Sequence, residues 1–154
     1  MPTILALDVG EARIGVAVGS SESGLARPHS VFRHSTRAND TRRVRELLAE
    51  AGATLLLVGL PLAPDGSPTA QAERIRRYIE GLAEMLPVPV ALWNEAFSTQ
   101  DAQERLLEGG SSRKRRRQRE DAAAAAVMLQ DYLDYQRRSG AHAENRTPGF
   151  PSGA

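Results

Sequence analysis

Three acidic residues, Asp8, Glu95 and Asp121, stand where acidic side chains are costly or well placed, and three carboxylates together could bind divalent cations. Asp8 ends the apolar run TILALDV, on the same side of that run as Ile4 and Ala6. A charge there is unfavourable unless something compensates it, and a metal ion is one compensation. Taken alone, Asp8-Val9-Gly10 fits a turn organiser better than a ligand, because turns commonly use these residues. Glu95 follows the short apolar stretch VPVALW, at the strand end where open α/β sheets hold ligands, provided that strand runs parallel to the first. Alone it reads as a solvated loop glutamate. Asp121 precedes AAAAAVMLQDYLDY, where a carboxylate at a helix start is favoured by the dipole alone. Its company argues for more. Asp121, Ala125, Met128 and Tyr132 share one helical stripe, and the alanines make a thin helix that can lie close to a sheet. Glu120 is the neighbouring fallback.

Other chemistries lack their residues. The chain has no cysteine, so disulfides, thiolate nucleophiles and sulfur-ligated metals are excluded. His29, His34 and His142 show no ligand-like spacing and read as solvated. No Walker loop, nucleophile elbow or zinc spacing is present.

The net charge is +1, yet Arg113, Lys114, Arg115, Arg116, Arg117 and Arg119 carry six positive charges, leaving the remainder at −5. So dense a cluster on an acidic body suits nucleic-acid phosphate, RNA or DNA. Arginine, with its planar fork, is the residue for that contact. A solvated basic loop is the plainer alternative. Arg13 is a secondary candidate, as are arginines 74, 76 and 77, which read mainly as surface.

These residues need a scaffold. The 154 residues, 41% hydrophobic and 25% charged, fit one globular domain over residues 1–138 with a disordered tail over 139–154. No signal segment or membrane span is visible, which agrees with a cytoplasmic setting and no membrane partner. Strands are expected over residues 3–9, 13–19, 25–33, 54–59 and 88–93. In the second, Ile14, Val16 and Val18 alternate with Gly15, Ala17 and Gly19, a bulky face for a core and a small face for close approach. Helices are expected over 40–51, after a Ser67 cap with Pro68 at the first position, over 99–108, and from about Glu120 to Gln136. Gly109 to Ser112 and the basic run read as a mobile loop before the last helix. The order β-β-β-α-β-α-β-α-α predicts a hairpin meander followed by parallel strands, a mixed five-stranded α/β sheet with helices on both faces.

The stretches LALDVGEARIGVAV, VGLPLAPDG, QAERIRRY, VALWNEAFST and REDAAAAAVMLQDYL, in that order, resemble the YqgF family, also called RuvX, of Holliday junction resolvases and nucleases of the 16S ribosomal RNA precursor. The likeness spans roughly residues 3–136. It implies a ribonuclease-H-like fold and a metal-bound triad at Asp8, Glu95 and Asp121. Two departures stand out: Gly10-Glu11 replaces the family's common Gly-Thr, and Asn94-Glu95-Ala96 replaces its common Asp-Glu-Arg. The expected chemistry is phosphodiester hydrolysis with two Mg²⁺ or Mn²⁺ ions about 3.5–4 Å apart, Asp8 bridging them and Glu95 and Asp121 each holding one. Two rivals remain: an actin-like or sugar-kinase-type ATPase, for which the chain is short and lacks a second phosphate loop, and a non-catalytic RNA-binding ribosome-assembly factor. The residues leave monomer and homodimer open.

Overall fold

In a computed structural model, which describes residues 2–94 and 113–139 (the backbone alone over 113–120), the first apolar run forms β1, Thr3–Val9. β2 (Arg13–Ser20) and β3 (Leu25–Arg33) follow as an antiparallel meander. The turn from β1 to β2 closes with the Gly10 amide donating to the Arg13 carbonyl at 2.8 Å. α1 (Arg37–Ala51) starts at Thr36, whose hydroxyl accepts from the Asn39 amide, and ends at Gly52 in the left-handed region, φ 64°. β4 (Leu55–Leu60), α2 (Ala70–Ala83), β5 (Val90–Asn94) and α3 (Arg113–Arg138) complete the described elements. The sheet order is β3-β2-β1-β4-β5, with β1, β4 and β5 mutually parallel. β1 and β4 are central and buried on both faces, which is why both are continuous apolar runs.

Alternation along β1 divides two cores. Leu5, Leu7 and Val9 pack with Val44, Leu47, Ile75 and Ile79 of α1 and α2. Ile4 and Ala6 pack with Ala125, Met128, Leu129 and Tyr132 of α3. Trp93, 1% exposed, is a core residue, edge-to-face with Tyr132 at 5.2 Å. Gln130 pins α3 to the meander, accepting from the Ala26 amide at 2.9 Å and donating to the Gly24 carbonyl at 2.8 Å. The mixed five-stranded sheet with helices on both faces is thus as expected.

Three local expectations need correction. The basic run is not a loop: residues 113–119 form the first two turns of α3. Arginine, lysine and glutamine are good helix formers, and extending an existing helix costs far less than starting one. The cap of α2 is Thr69 and not Ser67; Ser67 instead donates its hydroxyl to Asp65 within the turn. α2 also ends at Ala83, before Pro87. The expected helix over 99–108 and the tail beyond 139 lie outside the described residues. Among the described residues no helix is long and apolar enough to cross a membrane.

Asp131 on α3 has an Oδ2 that is buried without a hydrogen-bond partner among the described residues. Burial, and then the Asp134 charge, push its carboxyl up to about 6, against an opposing pull from Arg138. The folded chain therefore holds this proton more tightly than the unfolded chain, and stability falls as pH rises through about 4 to 6. Asp131→Asn is expected to stabilise the fold above pH 6 and to make no difference below pH 4. The full shift corresponds to about 3 kcal/mol. Solvent screening at this partly exposed position reduces the gain to about 1 kcal/mol, or roughly 2–4 °C in Tm. Thermal melts of both proteins at pH 3.5 and 7.5 check the sign.

Candidate active site

Asp8 is half-buried near the C-terminal end of β1, on the face that α3 covers. Its cross-strand partner is Gly15 of β2. A Cβ built at Gly15 would collide with the carbonyl oxygen of Asp121, so the backbone of α3 rests directly on Gly15. Paired residues on antiparallel strands lie about 4.5–5.5 Å apart between Cα atoms. Gly15 is therefore the common neighbour of Asp8 and Asp121, residues more than a hundred positions apart. The small face of β2 read from the sequence is what admits this approach.

Asp121 lies more than two turns inside α3 and not at its start. The dipole of a helix start fades beyond the first turn, so it does not account for an aspartate here. The Nε of Arg13 stands 2.8 Å from its Oδ2, and both side chains are 31% exposed. That oxygen is nonetheless buried and accepts no hydrogen bond among the described residues, while Arg13 faces it as a counter-charge.

Glu95 lies outside the described residues, as do the side chains of Arg113, Lys114, Arg115, Arg116, Arg117 and Arg119. Asn94, which precedes Glu95, ends β5. Because β5 runs parallel to β1, the ends of both strands share the sheet edge where Asp8 stands. One strand separates them, a distance of roughly 9–10 Å between β1 and β5. Among the described residues no group of three or more Asp, Glu or His could hold a metal ion. Two of the three expected ligands are thus brought to one spot. They suit a divalent cation: their donors are hard carboxylate oxygens, and one of these is buried and lacks a hydrogen bond among the described residues.

His34 is not solvated, contrary to expectation. Its Nδ1 is 3.0 Å from Asp40 Oδ2, and its Nε2 is 2.9 Å from the carbonyl oxygen of Gly10. Both partners are acceptor oxygens, so whichever ring nitrogen carries a proton donates to one of them. Asp40, 2% exposed, also accepts from the Tyr78 hydroxyl at 2.7 Å and the Ser35 amide at 3.0 Å. Burial, and then that bond to Asp40, push the Tyr78 hydroxyl well above the ordinary phenol range, so it remains a donor. The His34 amide further donates to the Ala12 carbonyl at 2.9 Å. This network ties the turn after Asp8 to α1 and α2. Sequence reasoning missed it because the partners lie 6, 24 and 38 positions apart. The one available signal was an aspartate and a histidine flanking the Thr36 cap.

Arg76 is a surface residue, bonded to Glu73 and Glu80. Arg74 stands 3.8 Å from Glu11, with both side chains largely exposed.

The family described as "RuvX: Holliday junction resolvase" matches residues 2–135. A protein of Anaeromyxobacter sp. (strain Fw109-5), named "Putative pre-16S rRNA nuclease", is 45% identical over 139 residues, covering 90% of this chain and 98% of that one. A protein of Chloroflexus aggregans with the same name is 36% identical, covering 88% of this chain and 95% of its own. Among solved structures, T. thermophilus RuvC in complex with a Holliday junction substrate superposes with a TM-score of 0.60 at 17% identity, covering 90% of this chain and 96% of that one. That likeness bears on the fold alone, which is of the ribonuclease-H-like type expected from the sequence.

Proposed function

The chain belongs to the RuvX family, a family of hydrolases acting on nucleic acid, and from that premise we propose that it is a divalent-metal-dependent nuclease whose cations are held by Asp8, Glu95 and Asp121. The observation that carries this reading is the meeting of Asp8 and Asp121 at Gly15, with Asp121 too far inside α3 to serve as a dipole cap. Bound there, Mg²⁺ or Mn²⁺, in a pair, supplies Lewis acidity for a hydrolytic water and for the leaving oxygen. The rest falls to the chain. Asp8 is held by a central strand and by a turn that His34 anchors, so its carboxylate is presented with little freedom. Asp121 is fixed by the seating of α3 on β2. The basic first turns of α3 supply guanidinium groups for substrate phosphates, with affinity that falls steeply as salt rises.

Arg13 has a part on both sides of this chemistry. It neutralises Asp121 in the absence of metal, and its guanidinium becomes available to a phosphate once a cation takes that carboxylate. Arg13→Ala is expected to bind Mn²⁺ about fivefold more tightly, matching the roughly 1 kcal/mol of a partly exposed ion pair, while losing affinity for nucleic acid. Calorimetric titration of Mn²⁺ without nucleic acid checks the first half; unchanged or weaker binding contradicts it.

The names of the relatives favour the 16S ribosomal RNA precursor as substrate. The family description and the fold shared with RuvC favour four-way junctions as a second reading. A symmetric junction calls for a homodimer with two facing sites, whereas single strands require only a monomer. Side-by-side digestion of precursor RNA, single-stranded DNA and junction DNA, with Mg²⁺ and then Mn²⁺, decides the matter. The expected result is cutting of the RNA precursor that stops in chelator. Cutting that persists in chelator, or none on any substrate, overturns the metal-dependent nuclease.

A further inference from the structure

A cavity of about 400 Å³ opens where β1 ends, lined by Gly10, Glu11, His34, Gln71, Arg74 and Tyr78 among others. It begins one residue beyond Asp8 but on the opposite face of the sheet, since Val9 packs with the α1 and α2 core. A larger cavity, about 710 Å³, lies at the far edge, at Thr3 where β1 starts, remote from the carboxylates.

Two properties of the smaller cavity point to a ligand. One wall is rigid. The His34 and Tyr78 rings stand edge-to-face at 5.0 Å, and both are bonded to the buried Asp40. The other wall is polar and open, formed by Gln71 and Arg74 on exposed turns of α2. Among the described residues Arg74 is engaged by Glu11 alone, at 3.8 Å, an exposed pair of the kind worth little. Its guanidinium can exchange that partner for a phosphate, which it binds in a two-pronged fashion. Aromatic rings and a side-chain amide beside it are groups that a nucleobase can contact. The volume is near the lower end of the range for ligand pockets, about 300–1,000 Å³, a size for one nucleotide and no more.

We propose that this cavity is a subsite for a single unpaired nucleotide of the substrate strand, next to the phosphate cut at Asp8, with Arg74 binding its phosphate and Gln71 and Tyr78 contacting its base. The reading of the ligand as substrate rests on the nuclease function above; the site itself does not. It makes the chain selective for strands that can splay a base out of a helix beside the cleavage point. Departure of Arg74 from Glu11 accompanies binding.

The test is an NMR titration of the full chain in chelator with adenosine 5′-monophosphate, adenosine and inorganic phosphate in turn, following the Gln71 amide and the Tyr78 ring. The monophosphate is expected to shift both signals and to bind about tenfold more tightly than either fragment, as a charge-assisted hydrogen bond adds to base contacts. Arg74→Ala should remove about tenfold of the monophosphate affinity and leave that for adenosine unchanged. Monophosphate binding no tighter than phosphate alone, shifts confined to other residues, or an unaltered Arg74→Ala variant overturns the subsite. Nothing is cut under these conditions. A chain that cleaves nucleic acid but fails this titration refutes the subsite alone, and one that passes it but cleaves nothing refutes the nuclease alone.

Discussion

Asp8→Asn is expected to lower the cleavage rate by at least about 10³-fold, since losing even one preorganised electrostatic contact costs about 10²–10³-fold. Asparagine keeps the size and one oxygen of the side chain but removes the charge that would hold a cation. Asp8 is half-buried at the end of a central strand whose flanking residues, Leu7 and Val9, supply the core contacts. The fold should therefore be retained, with a melting temperature close to that of the parent. Cleavage assays and thermal melts on the same preparation separate the two effects. A rate within tenfold of the parent, with contaminating nuclease excluded, removes Asp8 from the chemistry.

Gly15→Ala should show the opposite pattern, a structural loss that carries activity with it. The added methyl would meet the backbone of Asp121, which has no rotamer to change, so α3 has to lift from β2. Overpacking of this kind costs about 1–3 kcal/mol and sometimes more, and an unyielding backbone places it at the upper end. At about 3 kcal/mol the melting temperature falls by roughly 6–12 °C. Because Asp121 moves with the helix, cleavage by the fraction still folded should fall as well. Gly81→Ala is the control: the atoms nearest its new Cβ belong to the guanidinium end of the Arg37 side chain, which can swing away. That substitution should be neutral, or stabilising by up to about 1 kcal/mol for an alanine within a helix. Equal melting temperatures for the two variants contradict the close seating of α3.

The scaffold is legible in the sequence where side-chain size alternates. TILALDV and LARPHSVFR form strands over the expected spans, and the glycine-alanine face of β2 foretold the approach of a helix. Charge patterning misled at the start of α3. Six cations after GGSS resemble a loop, yet their residue types favour helix, and the stem beyond Asp121 was already helical. That error had a consequence for the site, since it made Asp121 a helix cap and so weakened a candidate that its interior position strengthens. Thr69 against Ser67 is a subtler case. Both can cap, but Asp65 engages the Ser67 hydroxyl first. The His34–Asp40–Tyr78 network was illegible because hydrogen bonds between distant segments leave no periodic trace. Of the candidate site, the sequence singled out Asp8 and Asp121, which the fold brings to one glycine. Glu95 remains a proposal, resting on the shared edge of β1 and β5 and on family resemblance.

The most direct test is crystallographic: crystals of the chain grown with Mn²⁺, examined by anomalous scattering at the manganese edge. The account predicts manganese peaks within coordination distance of the Asp8 and Asp121 carboxylates, at about 2.0–2.3 Å as oxygen-bound divalent cations require, with Arg13 displaced from Asp121. Peaks elsewhere, or none beside these two aspartates while Arg13 stays in place, contradict it.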